Sequence, residues 1–314
     1  MNMRKSNNHL FLVIVVVFFL CVIASCHKSE KTAAQEPDTE QSTATDNHLI
    51  EEYSNDIFSI GSQVCETASL STYKTNENTI VANFLLIAPC ATISGVSTKT
   101  ITVDFGITGC IGTDGKTRKG KLIFDFSSST PTTSIKFRNP GFSVTVKSIN
   151  YIVDGNQVSI INKTIKNITP SNISLGTNLT WSITANMSIT KSNSGGTFVW
   201  NCNRTKELIN TSDPLCYNGQ ANAINWIKAK IKMNGNSSGT NAKGESYTAT
   251  IKDIIRDFTC APDPTKIHRH PFISGLIEYT PSNRPTRYIN YGNSNCDFNA
   301  TITINGRSWA ITLP

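Results

Sequence analysis

The sequence predicts an all-β protein, an antiparallel meander or sandwich of long strands, with one amphipathic helix near its N-terminus. Three observations carry this expectation. After Ser71 the chain is rich in Thr, Ser, Asn and Ile and poor in Ala, Leu and Glu, which favours strands over helices. Alternating segments are joined by Asp-Gly and Asn-Gly, the dipeptides that two-residue hairpin loops demand. Between Asp46 and Ala68, by contrast, apolar residues recur at spacings of three and four.

The elements follow in chain order. Arg4 and Lys5 precede an unbroken apolar run from Leu10 to Ala24, so residues 1–25 read as a signal peptide. The run is shorter than the ~20 residues of a membrane-spanning helix. It ends Ile23-Ala24-Ser25-Cys26, which resembles the bacterial lipobox, and that resemblance implies a lipid on the sulfur of Cys26 and cleavage just before it. Two or three acyl chains hold a protein far more firmly than one, at ~0.8 kcal/mol per buried CH₂. His27 stands where an inner-membrane retention signal has Asp, so the expected location is the outer membrane, facing the periplasm or the surface. Residues 26–45 have no large apolar side chain and several acids, and read as a flexible tether. The lysine and acids after Cys26 also resemble the export signal of surface lipoproteins in Bacteroidota.

Residues 46–70 form the expected helix. Leu49, Ile50, Tyr53, Ile57, Ile60 and Val64 make one apolar face, and Asp46 or Asn47 caps the start. The β domain then runs over 71–314, as one large body or two β halves. In "INYIVDGNQVSII" the Asp154-Gly155 turn sets Tyr151 opposite Val158 and Ile149 opposite Ile160 on an oily face. In "ATITINGRSWAITL" the Asn305-Gly306 turn sets Ile302 opposite Trp309 and Ala300 opposite Ile311. Asp114-Gly115, Asn234-Gly235 and Gly195-Gly196 are further turn signals.

Without residues 1–25 the chain carries 27 Lys and Arg against 22 Asp and Glu, a net charge of +5. Because the tether is acidic, the body is more basic than that, which suits an anionic polysaccharide; no nucleic-acid motif is present. Of nine cysteines, Cys21 leaves with the signal and Cys26 takes the lipid. The remaining seven admit 105 arrangements with three bridges. Proximity and motif context favour Cys90–Cys110, Cys202–Cys216 and Cys260–Cys296, with Cys65 left over. No pair stands at C-x₂₋₄-C, so a zinc reading is poor.

Several segments have a familiar form. "GCIGTDGKTRKGKLIFDF", "TFVWNCNRTKEL" and "NYGNSNCDFNATITINGRSWAITLP" resemble signature segments of an uncharacterised Bacteroidota outer-membrane lipoprotein family. Its members carry a lipobox, a C-x-G-x-D-G-[KR]-x-R-[KR]-G turn and a C-terminal C-D-x-x-A-T-x-x-x-N-G hairpin. The middle strand of that family is matched by Trp200, Arg204, Lys206 and Glu207. The similarity runs in patches from 90 to 314 and departs around Cys216 and at "IHRHPF". It implies topology and location, and no activity.

Local catalytic motifs are missing: there is no H-E-x-x-H, G-x-S-x-G, P-loop, G-x-G-x-x-G after a strand, or EF-hand loop. Ser188 and Lys191 have the spacing of a serine–lysine nucleophile but lie in a strand pattern. In "DPTKIHRHP", His268 and His270 with Asp263 form a weak metal candidate, since His-x-His on a strand points both rings to one face. The turn "DGKTRKGK" supplies Lys116, Arg118, Lys119 and Lys121, read either as a solvated hairpin end or as a contact for anionic glycan. Arg204 and Lys206 share one strand face and need partners there, with Asp104 and Asp125 as candidates. Trp181, Trp200, Trp226 and Trp309 read as core. The Asn-x-Ser/Thr sites at Asn162, Asn178 and Asn299 reflect composition.

Two functions remain. The first is a lipid-anchored, non-catalytic binding or structural module of the cell envelope, needing no cofactor, with the membrane, an anionic glycan or another envelope protein as partner. The alternative is a polysaccharide hydrolase with two carboxylates from different strands.

Overall fold

The fold is seen in a computed structural model, which describes residues 38–67, 88–95, 99–130, 136–172, 174, 176–219 and 223–313. Cys26, the expected signal segment and most of the expected tether lie outside the described residues. One helix, α1 (Ser42–Thr67), precedes fourteen strands. These are β1 (Thr92–Ser94), β2 (Thr100–Asp104), β3 (Cys110–Ile111), β4 (Thr117–Asp125), β5 (Ser143–Val153), β6 (Asn156–Asn167) and β7 (Leu179–Thr190). They continue as β8 (Thr197–Leu208), β9 (Lys230–Thr240), β10 (Ser246–Asp257), β11 (Phe272–Pro281), β12 (Arg287–Asn293), β13 (Asn299–Ile304) and β14 (Arg307–Thr312). Each strand pairs antiparallel with the next along one path from β1 to β14, with the short β3 pairing beside it on β4. The two β halves admitted by the sequence are thus one continuous sheet.

The sheet curls around α1. Side chains from β4, β6, β8, β10 and β12 all reach the helix: Arg118, Lys163, Arg204, Arg256 and Tyr291 bond to Asp56, Ser54, Glu51, Asp56 and His48. Every residue from Ile50 to Cys65 is buried. The expected helix had one apolar face and a wet one; here the polar face is enclosed as well. Its small polar side chains are satisfied partly within the helix. Asn55 Nδ2 donates to the Glu51 carbonyl (2.7 Å), and Ser59 Oγ and Ser62 Oγ donate to the carbonyls of Asn55 and Ser59 (3.1 and 2.8 Å).

The helix also starts earlier than predicted. The Glu40 carboxylate accepts from the backbone N–H and hydroxyl of Thr43 (3.0 and 2.8 Å), doing the capping assigned to Asp46 or Asn47. Residues 42–45 therefore belong to the helix and not to the tether.

Close approach of helix and sheet follows from small residues. Ala185, Cys202, Ser237 and Ala249 sit side by side across β7 to β10, all buried, and form a shallow row on the inner face. Gly61 lies against Phe124 of β4, whose Cε1 would stand 2.8 Å from an added Cβ. Aromatic rings close the far end of the helix: Phe58 meets Phe137, Trp181 and Trp226 edge-on, with centroids 5.1, 5.8 and 6.3 Å apart.

Several predicted details change. The two hairpin turns are present, with Asp154, Gly155, Asn305 and Gly306 all at positive φ. Ile302 faces Trp309 and Ala300 faces Ile311 in register. Ile149, however, is 47 % exposed and not on the oily face. Asn150 takes φ 47°, which inserts a residue into β5 and reverses the inward alternation between Val146 and Tyr151. Asn234-Gly235 lies inside β9 and makes no turn. Gly235 takes φ 131° there, and a Cβ on it would come within 2.2 Å of the Asn203 carbonyl.

Disulfides join Cys90 to Cys110 and Cys260 to Cys296, with Cα atoms 5.6 and 5.5 Å apart. The expected Cys202–Cys216 bridge is not formed, and both are buried free thiols. Cys202 points inward in mid-β8, whereas Cys216 Sγ lies near Asn210 Oδ1 (3.5 Å), past the strand's end. The six residue steps from Cys202 to Leu208 along the strand alone span ~20 Å, and a bridge needs Cα atoms within ~7 Å. Cys65 is buried near the end of α1.

Candidate functional site

Helix α1 carries four buried acids, Asp46, Glu51, Glu52 and Asp56, and the curled sheet brings cations to the last three. Strand alternation does the positioning. On β8 the inward residues are Phe198, Trp200, Cys202, Arg204, Lys206 and Leu208, so Arg204 and Lys206 aim at the helix while Asn201, Asn203 and Thr205 face out. Arg204 Nη2 bonds Glu51 Oε1 and also donates to Ser237 Oγ (2.9 Å); Trp200 Nε1 donates to the same Glu51 oxygen (3.2 Å). Asp104 and Asp125, the partners expected for Arg204 and Lys206, are elsewhere. Asp104 pairs with Lys121 (2.8 Å) and Asp125 accepts from the Ser127 N–H (3.0 Å).

The basic turn divides in two. Lys116 and Arg118 are buried, which corrects their reading as a solvated hairpin end or an exposed glycan contact. Lys116 Nζ binds Glu52 Oε1 (2.9 Å) and Asp56 Oδ2 (2.6 Å). Arg118 reaches Asp56 Oδ2 (3.2 Å) and grips Asp114 with two bonds of 2.9 and 2.5 Å. Lys121 is exposed and Lys119 is half-buried. Burial works against the charges of Glu52 and Asp56, yet Lys116 and its neighbouring guanidinium groups win: Glu52 titrates below the usual glutamate range and Asp56 at about 2.

Two lysines lack such compensation. Lys163 Nζ donates to Ser54 Oγ (2.6 Å) and the Ser54 carbonyl (3.3 Å), and burial lowers its pKa to about 8. Lys206 Nζ bonds Asn55 Oδ1 and sits 3.9 Å from the Phe58 ring centroid, and burial holds it well below the usual lysine range.

Above the Glu52–Lys116 pair the surface opens into a cleft of about 640 Å³. It lies where the 112–118 turn meets the 263–270 loop, two segments the sequence singled out separately. Thr113 Oγ1 and His268 Nδ1 join them at 2.8 Å, and Gly115 packs on the Lys266 stem. Glu52, Tyr53, Asp114 and Lys116 line the cleft together with Asp154, Lys266 and Arg269. The Asp154 carboxylate accepts from the Thr117 N–H (2.8 Å). Lys266 makes a long 3.6 Å contact with Asp263, and Arg269 stacks on Phe298 with its Cζ 4.2 Å from the ring centroid.

His268 and His270 do not converge as a metal site. His270 is buried with Nδ1 2.7 Å from the Cys260 carbonyl, while His268 faces Thr113, and the ring centroids are 6.1 Å apart. Asp263 instead caps its own turn, accepting from the Thr265 N–H (2.9 Å). No group of three His, Cys, Asp or Glu converges on one point among the described residues. Ser188 and Lys191 are also separate, since Lys191 pairs with Asp46 of α1 (2.7 Å). Trp181, Trp200 and Trp226 are buried, and Trp309 is half-buried against the core.

A glycosidase acid needs a carboxyl held protonated near neutrality. Here Glu52 is pushed the other way and Asp114 is clasped by Arg118. What the cleft offers is Glu52 and Asp114 neutralised by Lys116 and Arg118, the exposed carboxylate of Asp154, and the cationic side chains of Lys266 and Arg269. The anionic face of α1 had no visible counterpart in sequence, apart from the paired inward positions of Arg204 and Lys206. No described helix is long and apolar enough to cross a membrane. The chain matches no protein-family model, no curated protein and no solved structure.

Proposed function

We propose that this chain is an outer-membrane lipoprotein attached through a lipid on Cys26, and that its folded body is a non-catalytic module that binds an anionic glycan. The basic n-region, the apolar run and the lipobox support the attachment. The segments around Cys110, Arg204 and Cys296 support membership of the uncharacterised Bacteroidota lipoprotein family they resemble. The observation that carries the ligand class is the cleft, where Lys116 and Arg118 neutralise Glu52 and Asp114 while Lys266 and Arg269 stay at the rim. A sulfated or uronate-bearing glycan meets those two cations above Glu52 and Asp114, which are already paired, and leaves Asp154 as the lining carboxylate without an ion-pair partner among the described residues.

The test uses soluble body 38–314 on an array of anionic and neutral glycans. Binding to anionic glycans is expected, weakened about tenfold or more in Lys266→Ala/Arg269→Ala, the loss of about 1.4 kcal/mol of contact. A silent array leaves a structural role or another envelope protein as partner, and release of reducing ends from a bound glycan establishes the hydrolase instead. Attachment is read separately: Cys26→Ala expressed in cells should incorporate no labelled palmitate.

A further inference from the structure

The interior around α1 is out of electrical balance. Lys116, Arg118, Lys163, Arg204, Lys206 and Arg256 are buried beside Asp46, Glu51, Glu52, Asp56 and Asp114, six basic side chains against five carboxylates. The excess is localised. Asp56 is shared by Lys116, Arg118 and Arg256, and Arg256 receives the longest of those contacts, 3.6 Å from Nη2 to Oδ1. Arg256 Nε donates to the His270 carbonyl (2.8 Å), and its Nη1 is buried with no hydrogen-bond partner among the described residues. Lys206, whose only polar contact among the described residues is the neutral Asn55 amide, lies close enough to feel the Arg256 charge.

Lys206 and Arg256 line the same small cavity. It has room at its centre for about one water-sized particle. The rest of the wall is mostly apolar: Phe58, Phe258, Phe272, Met233 and neighbouring isoleucines. No carboxylate lines it. A buried, unpaired charge in such a wall costs several kcal/mol. That burial, with the Arg256 charge adding to it, is what lowers the Lys206 pKa, and an anion in the cavity would offset both and keep the ammonium protonated.

We propose that this cavity is a binding site for one small monovalent anion, a halide such as chloride, held between Lys206 Nζ and Arg256 Nη1. Room for about one water-sized particle favours a monatomic anion over phosphate or a carboxylate ligand. The two cations supply the attraction and the phenylalanines the dry surroundings that strengthen it. Water fits the void equally well but leaves the excess charge in place.

The experiment measures the thermal midpoint of body 38–314 at neutral pH and fixed ionic strength, replacing sodium gluconate by sodium bromide. Bromide at ten times its dissociation constant should raise the midpoint by about 3–5 °C. Lys206→Met, which exchanges the buried charge for an apolar side chain of similar length, should remove that rise, and Lys163→Met should retain it. Bromide-soaked crystals of the unaltered body provide the second readout, an anomalous peak between Lys206 and Arg256. Equal midpoints in gluconate and bromide, a rise that survives Lys206→Met, or bromide found only on the surface overturns the proposal.

Discussion

Asp56 of α1 and Lys116 at the head of β4 stand 60 positions apart in the chain and meet at 2.6 Å, with side chains 4 % and 10 % exposed. The contact ties the first element of the body to the first long hairpin of the sheet. A buried ion pair is a poor source of net stability compared with apolar packing, because both ions lose their hydration. Its effect is to fix register. With Glu52 and Asp56 one turn apart and Lys116 and Arg118 two residues apart, a shifted helix would leave buried charges unmatched.

The first prediction follows from that asymmetry. Asp56→Asn leaves Lys116, Arg118 and Arg256 around a neutral amide and should destabilise the body by ~3–5 kcal/mol. Asp104→Asn, which breaks the open surface pair with Lys121, should leave the midpoint unchanged. Urea denaturation of body 38–314 compares the two, and equal effects would mean that the interior pairs carry no special weight.

The second concerns acid. Burial pushes the pKa of His48 and of His270 down to about 4, against an ordinary 6.5. The unfolded chain therefore takes up protons below pH 6.5 that the folded chain refuses until about pH 4, so stability must fall across that window as pH drops. For a fully buried histidine the loss approaches ~3 kcal/mol. Asp56, at about 2 against 3.8, adds a second loss between those two values. His48 faces Glu52, Tyr291, Glu51, Lys116 and Arg256, and the carboxylates only partly offset its burial. His48→Phe should flatten the 6.5-to-4 portion of the urea-midpoint profile, and a profile unchanged by that substitution rejects the assignment.

The strands could be read from sequence because each one's evidence is local. Alternation along β8 and the Asn305-Gly306 turn need no knowledge of the rest of the chain. The surroundings of α1 are another matter. Glu51, Asn55 and Ser59 look the same in sequence whether they meet water or an arginine contributed by β8, and the bland assumption for a helix with such a face is solvent. The one available signal was Arg204 and Lys206 alternating in step with Trp200 and Phe198. It pointed to buried charge, but not to the helix as its partner. Ile149 was misplaced because a single left-handed residue, Asn150, reverses the faces, and Asn takes that conformation readily enough to leave no mark.

Cysteine chemistry gives the third prediction. Burial pushes the thiols of Cys202 and Cys216 up to about 11, so little thiolate exists at neutral pH. Iodoacetamide at pH 7.5 should modify neither in the folded body and both in urea. A non-reduced digest should contain Cys90–Cys110 and Cys260–Cys296 peptides, and a Cys202–Cys216 peptide would contradict the arrangement. Closing loops of 20 and 36 residues stabilises by ~3 and ~4 kcal/mol in the chain-entropy model, so reduction should lower the urea midpoint markedly.

The last prediction separates the helix's own preference from its enclosure. Gly61 lies mid-helix, where alanine is intrinsically better by ~1 kcal/mol. A free helix would gain from Gly61→Ala. Inside the curled sheet the new methyl meets the Phe124 ring at 2.8 Å, and Phe124 is fully buried. Overpacking of that kind costs ~1–3 kcal/mol, so the net change should be destabilising. Phe124→Leu alone should also destabilise, by removing ring contacts. Combined, the two should be less harmful than their sum, because the smaller side chain admits the methyl and lets the helix preference show. Chemical denaturation of the four proteins in the double-mutant cycle gives the coupling directly. Strict additivity would mean that α1 does not touch β4 at this position, and would remove the close packing on which its complete burial depends.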